Sequence, residues 1–504
     1  MSYKLNLSDL PSLENADRGS ITRTLVAHVI AEVDSGRLTA GDRLPPTRAL
    51  AEAAGVNHLT AARVYRRLAE LGYVTASVGR GTFVSARAAA TPEDADSADW
   101  QSFVLPEHRL SYAAEILRDT LHTPARTGVI SLAVGWPAPA LHPVKELREI
   151  SAAVFDEVGV EAVSYLSSSE GLPELREQIA ARGRRSGFAS SPEEIIVTSG
   201  ARQGLDLVAR ALLRPGDVVA VETPTFAGLL ASLQDSGARV IGIPVDEEGL
   251  DVDALEDVLA RHEIKLCALQ PDCQNPTGQT MSAERRARLL ELARERSFFV
   301  LEDGVYATLR FEGPDLPRLR SGAPSHVIYV DSLSKSVGGG LRIGWIAAQG
   351  PVLNRLAGLK MATDVHTSAL DQQIAARYLE PGIHERLLEQ SLPYYVERRD
   401  ALMAALERHL PGEYRARLPL GGHHVWVELT KPVSERTLYS EAIHHGVAFT
   451  PGAATMPEPA ARAHLRLSFG LLEPEELDEG VRRLARALRA VHRYDQLGAT
   501  APVS

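Results

Sequence analysis

At 504 residues, with 44% hydrophobic and 24% charged side chains, the chain has room for roughly two to four domains and the composition of a globular protein with sizeable cores. No apolar run approaches the roughly 18 residues of a membrane span. The opening stretch MSYKLNLSDLPSLENADRGS lacks the basic-then-apolar order of a signal peptide, so a cytoplasmic protein with no membrane partner is expected. The net charge of −11 argues by itself against nucleic acid, yet residues 18–87 hold ten Arg against five Asp or Glu. That balance of about +5 leaves about −16 for the remainder, a small basic module on a large acidic body. Cys267 and Cys273, six apart around a Pro-Asp turn, are expected as free thiols. His423 and His444 are available as further ligands, but no spacing proposes a metal site.

In chain order, the first expected helix carries Ile21, Leu25, Val29, Ile30 and Val33 at helical spacing and ends at Ser35-Gly36. A short second helix follows Pro45-Pro46, with Thr47 as its cap, Leu50, Ala51 and Ala54 inside, and Gly55 as its stop. A third runs from about His58 to Leu71, burying Val64, Leu68 and Leu71 and showing Thr60, Arg63 and Arg67 on another face. Helix, short turn and helix with an Arg-rich outer face is an arrangement that enters the major groove. After Gly72, YVTASVGRGTFVS gives two short β-prone runs around Gly79-Arg80-Gly81, a hairpin whose tip Arg80 reaches phosphate or minor groove. The pattern is a winged helix-turn-helix.

The stretch LPPTRALAEAAGVNHLTAARVYRRLAELGYVTASVGRGTFVS resembles the DNA-binding domain of the GntR family of bacterial regulators over nearly its full length. The resemblance implies a double-stranded DNA operator as partner, contacted by Arg48 at the start of the second helix, Thr60 and Arg63 on the recognition helix, and Arg80 and Gly81 on the wing. Arg66 is read as a solvated charge. The module spans residues 18–86. Residues 87–127 form an acidic, Ala- and Ser-rich connector, with some apolar periodicity from Phe103 to Leu121 compatible with a docking helix.

From residue 128 to about 495, β-branched runs of four to six residues alternate with helical stretches, which implies βαβ units and a mainly parallel sheet with sites at the strand C-termini. The loops after these strands hold the chemistry. Ser199-Gly200-Ala201 precede a helix whose N-terminus can hold a phosphate, although small residues there are also ordinary caps. Asp303 ends the apolar run FVLED and needs a cationic or hydrogen-bonded partner, which a protonated pyridine nitrogen would supply. Asn275 sits at a Pro-bounded turn, and Phe226 offers a flat ring for a heterocycle or for the core. Lys335 follows HVIYV and shares that strand-end crevice, while Ser332 and Arg342 flank Gly338 to Gly340 and can share a dianionic phosphate. An amine, a carboxylate, oxygen-directed donors, a stacking ring and a phosphate cradle are together what pyridoxal phosphate (PLP) requires.

This order resembles the fold type I aminotransferases across some 360 residues, carried by SYLSSSEGLPELREQIA, VTSGARQGLDLVARALLRPGDVVAVETPTF, QNPTG, EDGVY, SLSKSVGGGLRIGW and LRLSFG. The resemblance implies helices on both faces of the sheet and a smaller C-terminal α+β subdomain. It makes Lys335 the Schiff-base lysine and catalytic residue, Asp303 the pyridinium partner, Asn275 and Tyr306 the donors to the phenolic oxygen, and Phe226 the stacking ring. Ala201, Arg202, Ser332 and Arg342 line the phosphate, and Tyr165 reaches the phosphate site of a partner subunit. Arg466 anchors a substrate carboxylate beside Gly135, and Arg202 stands where Gln is common.

The two modules in this order are similar to the MocR subgroup of GntR regulators. The resemblance implies a head-to-tail homodimer that senses PLP, or an amino compound forming an external aldimine with it. The rival expectation is a working aminotransferase with an appended DNA-binding module. A regulator with a vestigial PLP site fits the intact residue set least.

Overall fold

The computed structural model describes residues 18–35, 37–39, 41–77, 81–85, 112–123 and 126–497, together with Leu5 and Leu10. The chain forms two compact units, residues 1–108 and 109–504.

In the first unit, α1 (Arg18–Asp34), α2 (Thr47–Ala53) and α3 (His58–Glu70) precede a hairpin of β1 (Val74–Ser77) and β2 (Gly81–Val84). Leu25, Val29 and Val33 recur every four residues and form one buried stripe that joins Leu50 of α2 and Ala61, Val64 and Leu68 of α3. Ile21, Ile30, Ala54 and Leu71 are only partly buried at the rim of that core. Thr47 is not the cap of α2. It enters the helix as its first residue after Pro46, which has no side chain to bond the free amides, so that terminus is uncapped. Asn57 does cap α3, its Oδ1 accepting from the Thr60 amide at 2.8 Å. The expected wing tip at Gly79-Arg80 lies outside the described residues.

The second unit is built on an eight-stranded sheet. Its strands are β4 (Ile195–Thr198), β5 (Val218–Thr223), β6 (Arg239–Asp246), β7 (Gly249–Leu250), β8 (Ile264–Leu269), β9 (Phe299–Asp303), β10 (Val327–Ser332) and β11 (Gly344–Ala347), in the order β4-β11-β10-β9-β8-β5-β6-β7. All run parallel except β7 and β11. Alternate residues face opposite sides, and both sides are covered. Val219, Val221, Leu266, Ala268 and Leu301 pack with Leu205, Val208 and Leu229 of helices Ala201–Leu212 and Ala227–Asp235. Ala220, Cys267, Leu269 and Val300 pack with Leu255, Leu289 and Ala293 of helices Val252–Leu259 and Ala283–Arg296. Burial on two faces is why these strands read as unbroken apolar runs.

A smaller antiparallel sheet, β12 (Tyr414–Ala416), β13 (His424–Leu429), β15 (Thr450–Pro451) and β16 (His464–Ser468), shares a second core with helices Ile383–His409 and Pro474–Leu497. β14 (Val447–Ala448) pairs in parallel with β3 (Ile130–Ser131) and ties the start of the body to this part. The body begins upstream of the residue 128 expected from sequence. Helix α4 (Tyr112–His122) packs on helix Ala227–Asp235 and on the turn Gly452–Thr455, leaving Ile116 8% and Thr120 4% exposed. Among the described residues no helix is long and apolar enough to cross a membrane. Cys267 and Cys273 are buried free thiols.

Candidate cofactor and DNA-contact sites

The C-terminal ends of the parallel strands open on a cavity of about 570 Å³, within the usual size of a small-molecule site. Gly135, Ala201, Arg202, Phe226, Asn275, Asp303, Tyr306, Ser332, Lys335, Arg342 and Arg466 all line it. Residues up to 331 positions apart meet there because β4, β8, β9 and β10 end on the same edge; Asp303 pairs in register with Val330, two residues before Ser332.

Asp303 is 2% exposed and accepts hydrogen bonds from Gln270 Nε2 at 2.7 Å and from the Val305 amide at 3.1 Å. Both donors are neutral, and burial pushes its pKa up to about 6. Gln270, just past β8, is a residue that motif reading missed. Its amide also accepts from the Asn275 N–H at 2.8 Å, and its own N–H donates to buried Glu222 at 2.9 Å, so one side chain sets the positions of Asp303 and Asn275. Burial raises Glu222 to about 8.

Lys335 lies in the turn after β10, and its Nζ donates to the Gly135 carbonyl at 2.8 Å. Burial first, and then the nearby Arg466 guanidinium, lower its pKa to about 8. The fraction of neutral, nucleophilic amine therefore rises about tenfold per pH unit up to about 8 and levels off above it. The rate at which the apo protein takes up added PLP, followed by absorbance, is expected to follow that curve; a rate flat from pH 6 to 9 would contradict it.

The Tyr306 hydroxyl bonds His424 Nε2 at 3.0 Å, and His424 Nδ1 bonds Ser468 Oγ at 2.9 Å. Burial holds Tyr306 above the usual phenol range and His424 well below the usual imidazole range, so the imidazole is neutral and uses one nitrogen as donor and the other as acceptor. His424 is the second residue that motif reading missed; its only signal is a polar pair, HH, opening the apolar strand HVWVEL. On β16, Leu465 and Leu467 enter the core, while Arg466 takes the opposite face and enters the cavity. Arg466 donates to Asn275 Oδ1 at 3.1 Å and Thr450 Oγ1 at 3.0 Å, and burial lowers its pKa to about 10.

Arg342 adopts a left-handed backbone, φ 52°, and donates to the Ser199 carbonyl at 2.9 Å. Gly200 has φ 85°, a backbone conformation that favours glycine, and it passes close to this guanidinium, a Cβ there standing 2.6 Å from Nη2. Helix Ala201–Leu212 starts there without a side-chain cap, and the Ser332 hydroxyl accepts from the Ser334 amide at 3.3 Å. Tyr165 is the one expected contact of the body that lies outside the cavity. It is 87% exposed, its ring edge-on to His366.

The donor set fits PLP. Asp303 is a buried carboxylate without a hydrogen-bonded cation among the described residues, the environment that favours a protonated ring nitrogen. Arg202 Nη1 and Arg466 Nε are buried without partners among the described residues, two cationic donors still to be satisfied. A Cβ at Gly135 would stand 2.4 Å from His424 and 3.3 Å from the Tyr306 hydroxyl, so the chain passes this wall only as glycine.

On the first unit, Arg48 of α2 and Arg63 of α3 are exposed, as is Arg66, and Thr60 is half-buried at the start of α3. Gly81 opens β2 with φ 118°. Arg80 lies outside the described residues.

Residues 21–84 match the bacterial regulatory proteins of the gntR family, and residues 140–484 match aminotransferase class I and II. The HTH-type transcriptional regulator TauR of Rhodobacter capsulatus is 30% identical over 488 residues, covering 94% of this chain and 97% of that protein. The 2-aminoadipate transaminase of Thermus thermophilus is 38% identical over 383 residues, 75% of this chain and 94% of that protein. The crystal structure of LysN, an α-aminoadipate aminotransferase from the same species complexed with N-(5'-phosphopyridoxyl)-L-leucine, superposes with a TM-score of 0.72 at 36% identity, covering 78% of this chain and 99% of that one. The enzymes align with the body; TauR spans both modules.

Proposed function

The chain belongs to the MocR subgroup of GntR-family transcriptional regulators, and from that premise we propose that it is a cytoplasmic regulator whose DNA binding answers to PLP or to an amino compound that reacts with it. The observation that carries this reading is Lys335 beside Asp303 in the strand-end cavity of a chain that also bears the DNA-binding module. When bound, PLP supplies an aldehyde that condenses with primary amines. Lys335 presents the protein's own amine. Asp303 holds a proton at the ring nitrogen, Asn275 and Tyr306 donate to the phenolic oxygen, and Phe226 covers a ring face. Ala201 and Arg202 at the helix start, with Ser332 and Arg342, hold the phosphate. Arg466 beside Gly135 receives a carboxylate, which selects amino acids over simple amines.

Arg48, Thr60, Arg63, Arg80 and Gly81 contact the operator. Arg63→Ala is expected to cost about 1–3 kcal/mol of operator affinity in a shift assay at fixed salt. An absorbance titration with PLP and amino acids, run beside that assay on the protein's own promoter region, tests the reading. A spectral response with unchanged DNA affinity would refute it. Rapid turnover of an amino acid with 2-oxoglutarate, in a protein that fails to bind such DNA, would instead favour the aminotransferase, a reading that the complete PLP residue set keeps open.

A head-to-tail homodimer is supported by exposed apolar residues around Tyr165. Phe155, Val160 and Val163, within ten residues of Tyr165 in sequence, and Met361 are each at least half exposed, large apolar side chains that a second copy would cover. The double variant Val160→Asp, Val163→Asp is expected to sediment as a monomer at micromolar concentration and to bind PLP more weakly, because Tyr165 then reaches no neighbour. An unchanged dimer would place the interface elsewhere.

A further inference from the structure

One wall of the cavity is accounted for neither by the cofactor nor by a carboxylate. Helix α4 presents Ile116 and Thr120 to it, both more than nine-tenths buried. The Thr120 hydroxyl oxygen is buried without a hydrogen-bond partner among the described residues, an uncommon state for a buried hydroxyl. The same helix packs on β15, whose Thr450 accepts from Arg466, so it adjoins the carboxylate anchor. By chain order it is also the element through which every covalent connection from the DNA-binding module enters the body. The bonds that fix its described side chains gather near its C-terminal end. Asp119 accepts from Arg126 and from the Tyr439 hydroxyl, and the Thr123 hydroxyl donates to the Thr120 carbonyl at 2.8 Å and bonds Ser131 Oγ at 2.7 Å.

We infer that α4 is the relay between effector and DNA module: the side chain of a bound amino acid packs on Ile116 and engages the Thr120 hydroxyl, and the helix shifts against helix Ala227–Asp235. This rests on the sensor reading above and adds to it the class of effector, an α-amino acid with an uncharged side chain. Ile116, Trp136 and Leu471 bring no charge to that cavity, and among the described residues Asp303 is the one carboxylate in its lining. Because Asp119 and Thr123 pin one end of α4, a push on Ile116 is passed toward the other end, where the connector joins.

The test uses the full-length protein saturated with PLP, with L-leucine, L-threonine and L-glutamate as first probes and the other protein amino acids after them. Hydrogen exchange of peptides covering 112–123 is expected to slow when leucine or threonine is added to wild type. Ile116→Ala is expected to weaken the spectral response to leucine about tenfold and to abolish the ligand-induced change in DNA affinity, since each lost buried methylene is worth several-fold. Thr120→Val, which keeps shape and removes the hydroxyl, is expected to weaken threonine while leaving leucine unchanged. A wild type that responds to an amino acid with no change in exchange over 112–123, or with Ile116→Ala responding equally, overturns the relay alone. A wild type whose spectrum and DNA affinity no amino acid alters removes the sensor reading and the relay with it.

Discussion

Lys335→Ala is expected to abolish the covalent cofactor signal completely: borohydride should fix no pyridoxyl label, and added amino acids should no longer change DNA affinity. Operator affinity without ligand should stay within about twofold of wild type, because Lys335 belongs to the second compact unit and the helices that carry the operator contacts have a hydrophobic core of their own in the first. The physical basis is local. Lys335 is the lysine in the lining of the cavity, and among the described residues its Nζ hydrogen-bonds the Gly135 carbonyl, which keeps a second partner in His423 Nδ1 at 3.2 Å when the lysine is removed. Ligand-dependent DNA binding that survives in this variant would refute the sensor mechanism.

Asp303→Asn is expected to act in opposite directions on the apo and the cofactor-loaded protein. In the apo protein burial raises the Asp303 carboxyl from 3.8 to about 6, which opposes folding wherever an unfolded aspartate would be ionised. The penalty is absent below about pH 4, grows between 4 and 6, and is complete above 6, where the shift corresponds to about 3 kcal/mol. Asparagine never ionises and can still accept from Gln270, although its single oxygen then gives up the Val305 amide, so the full gain is an upper bound. The apo variant should therefore be more stable than apo wild type at pH 7.5, by up to about 3 kcal/mol in urea titration, with the gain fading toward pH 4. PLP affinity should fall by about 2–5 kcal/mol, the usual cost of removing one member of a buried charge pair. A less stable apo variant with undiminished PLP affinity would show that Asp303 serves the fold alone.

These two residues were legible in the sequence because each ends or follows an apolar strand and stands in a short, distinctive string, FVLEDGVY and SLSKSVGGG. Gln270 and His424 were not legible. Gln270 reads as an ordinary polar residue after LCAL, and only the packing of β8 between β5 and β9 puts it between Glu222 and Asp303. His424 faces Tyr306 across 118 positions of sequence, and no local pattern encodes such a contact. Helix α4 was visible as weak periodicity within an acidic connector. Its helical spacing could be read, but the partner for its apolar side could not, because helix Ala227–Asp235 and the turn Gly452–Thr455 lie far along the chain.

By itself the sequence determined what depends on neighbours within about ten residues. That covers the alternation of short apolar strands with helices, the winged helix-turn-helix spacing, and the identity of the groups at each strand end. The tertiary structure decided what depends on which strand ends lie side by side. The order β4-β11-β10-β9-β8-β5 brings Ser199, Ser332, Asp303 and Gln270 to one edge, and β16 of the second sheet turns Arg466 toward them. It also decided the electrostatics. The same carboxylate or amine titrates normally in water, and it is burial of the groups in the walls of this cavity that moves Asp303 up to about 6 and Lys335 down to about 8, a property of the assembled walls that no stretch of the chain carries alone.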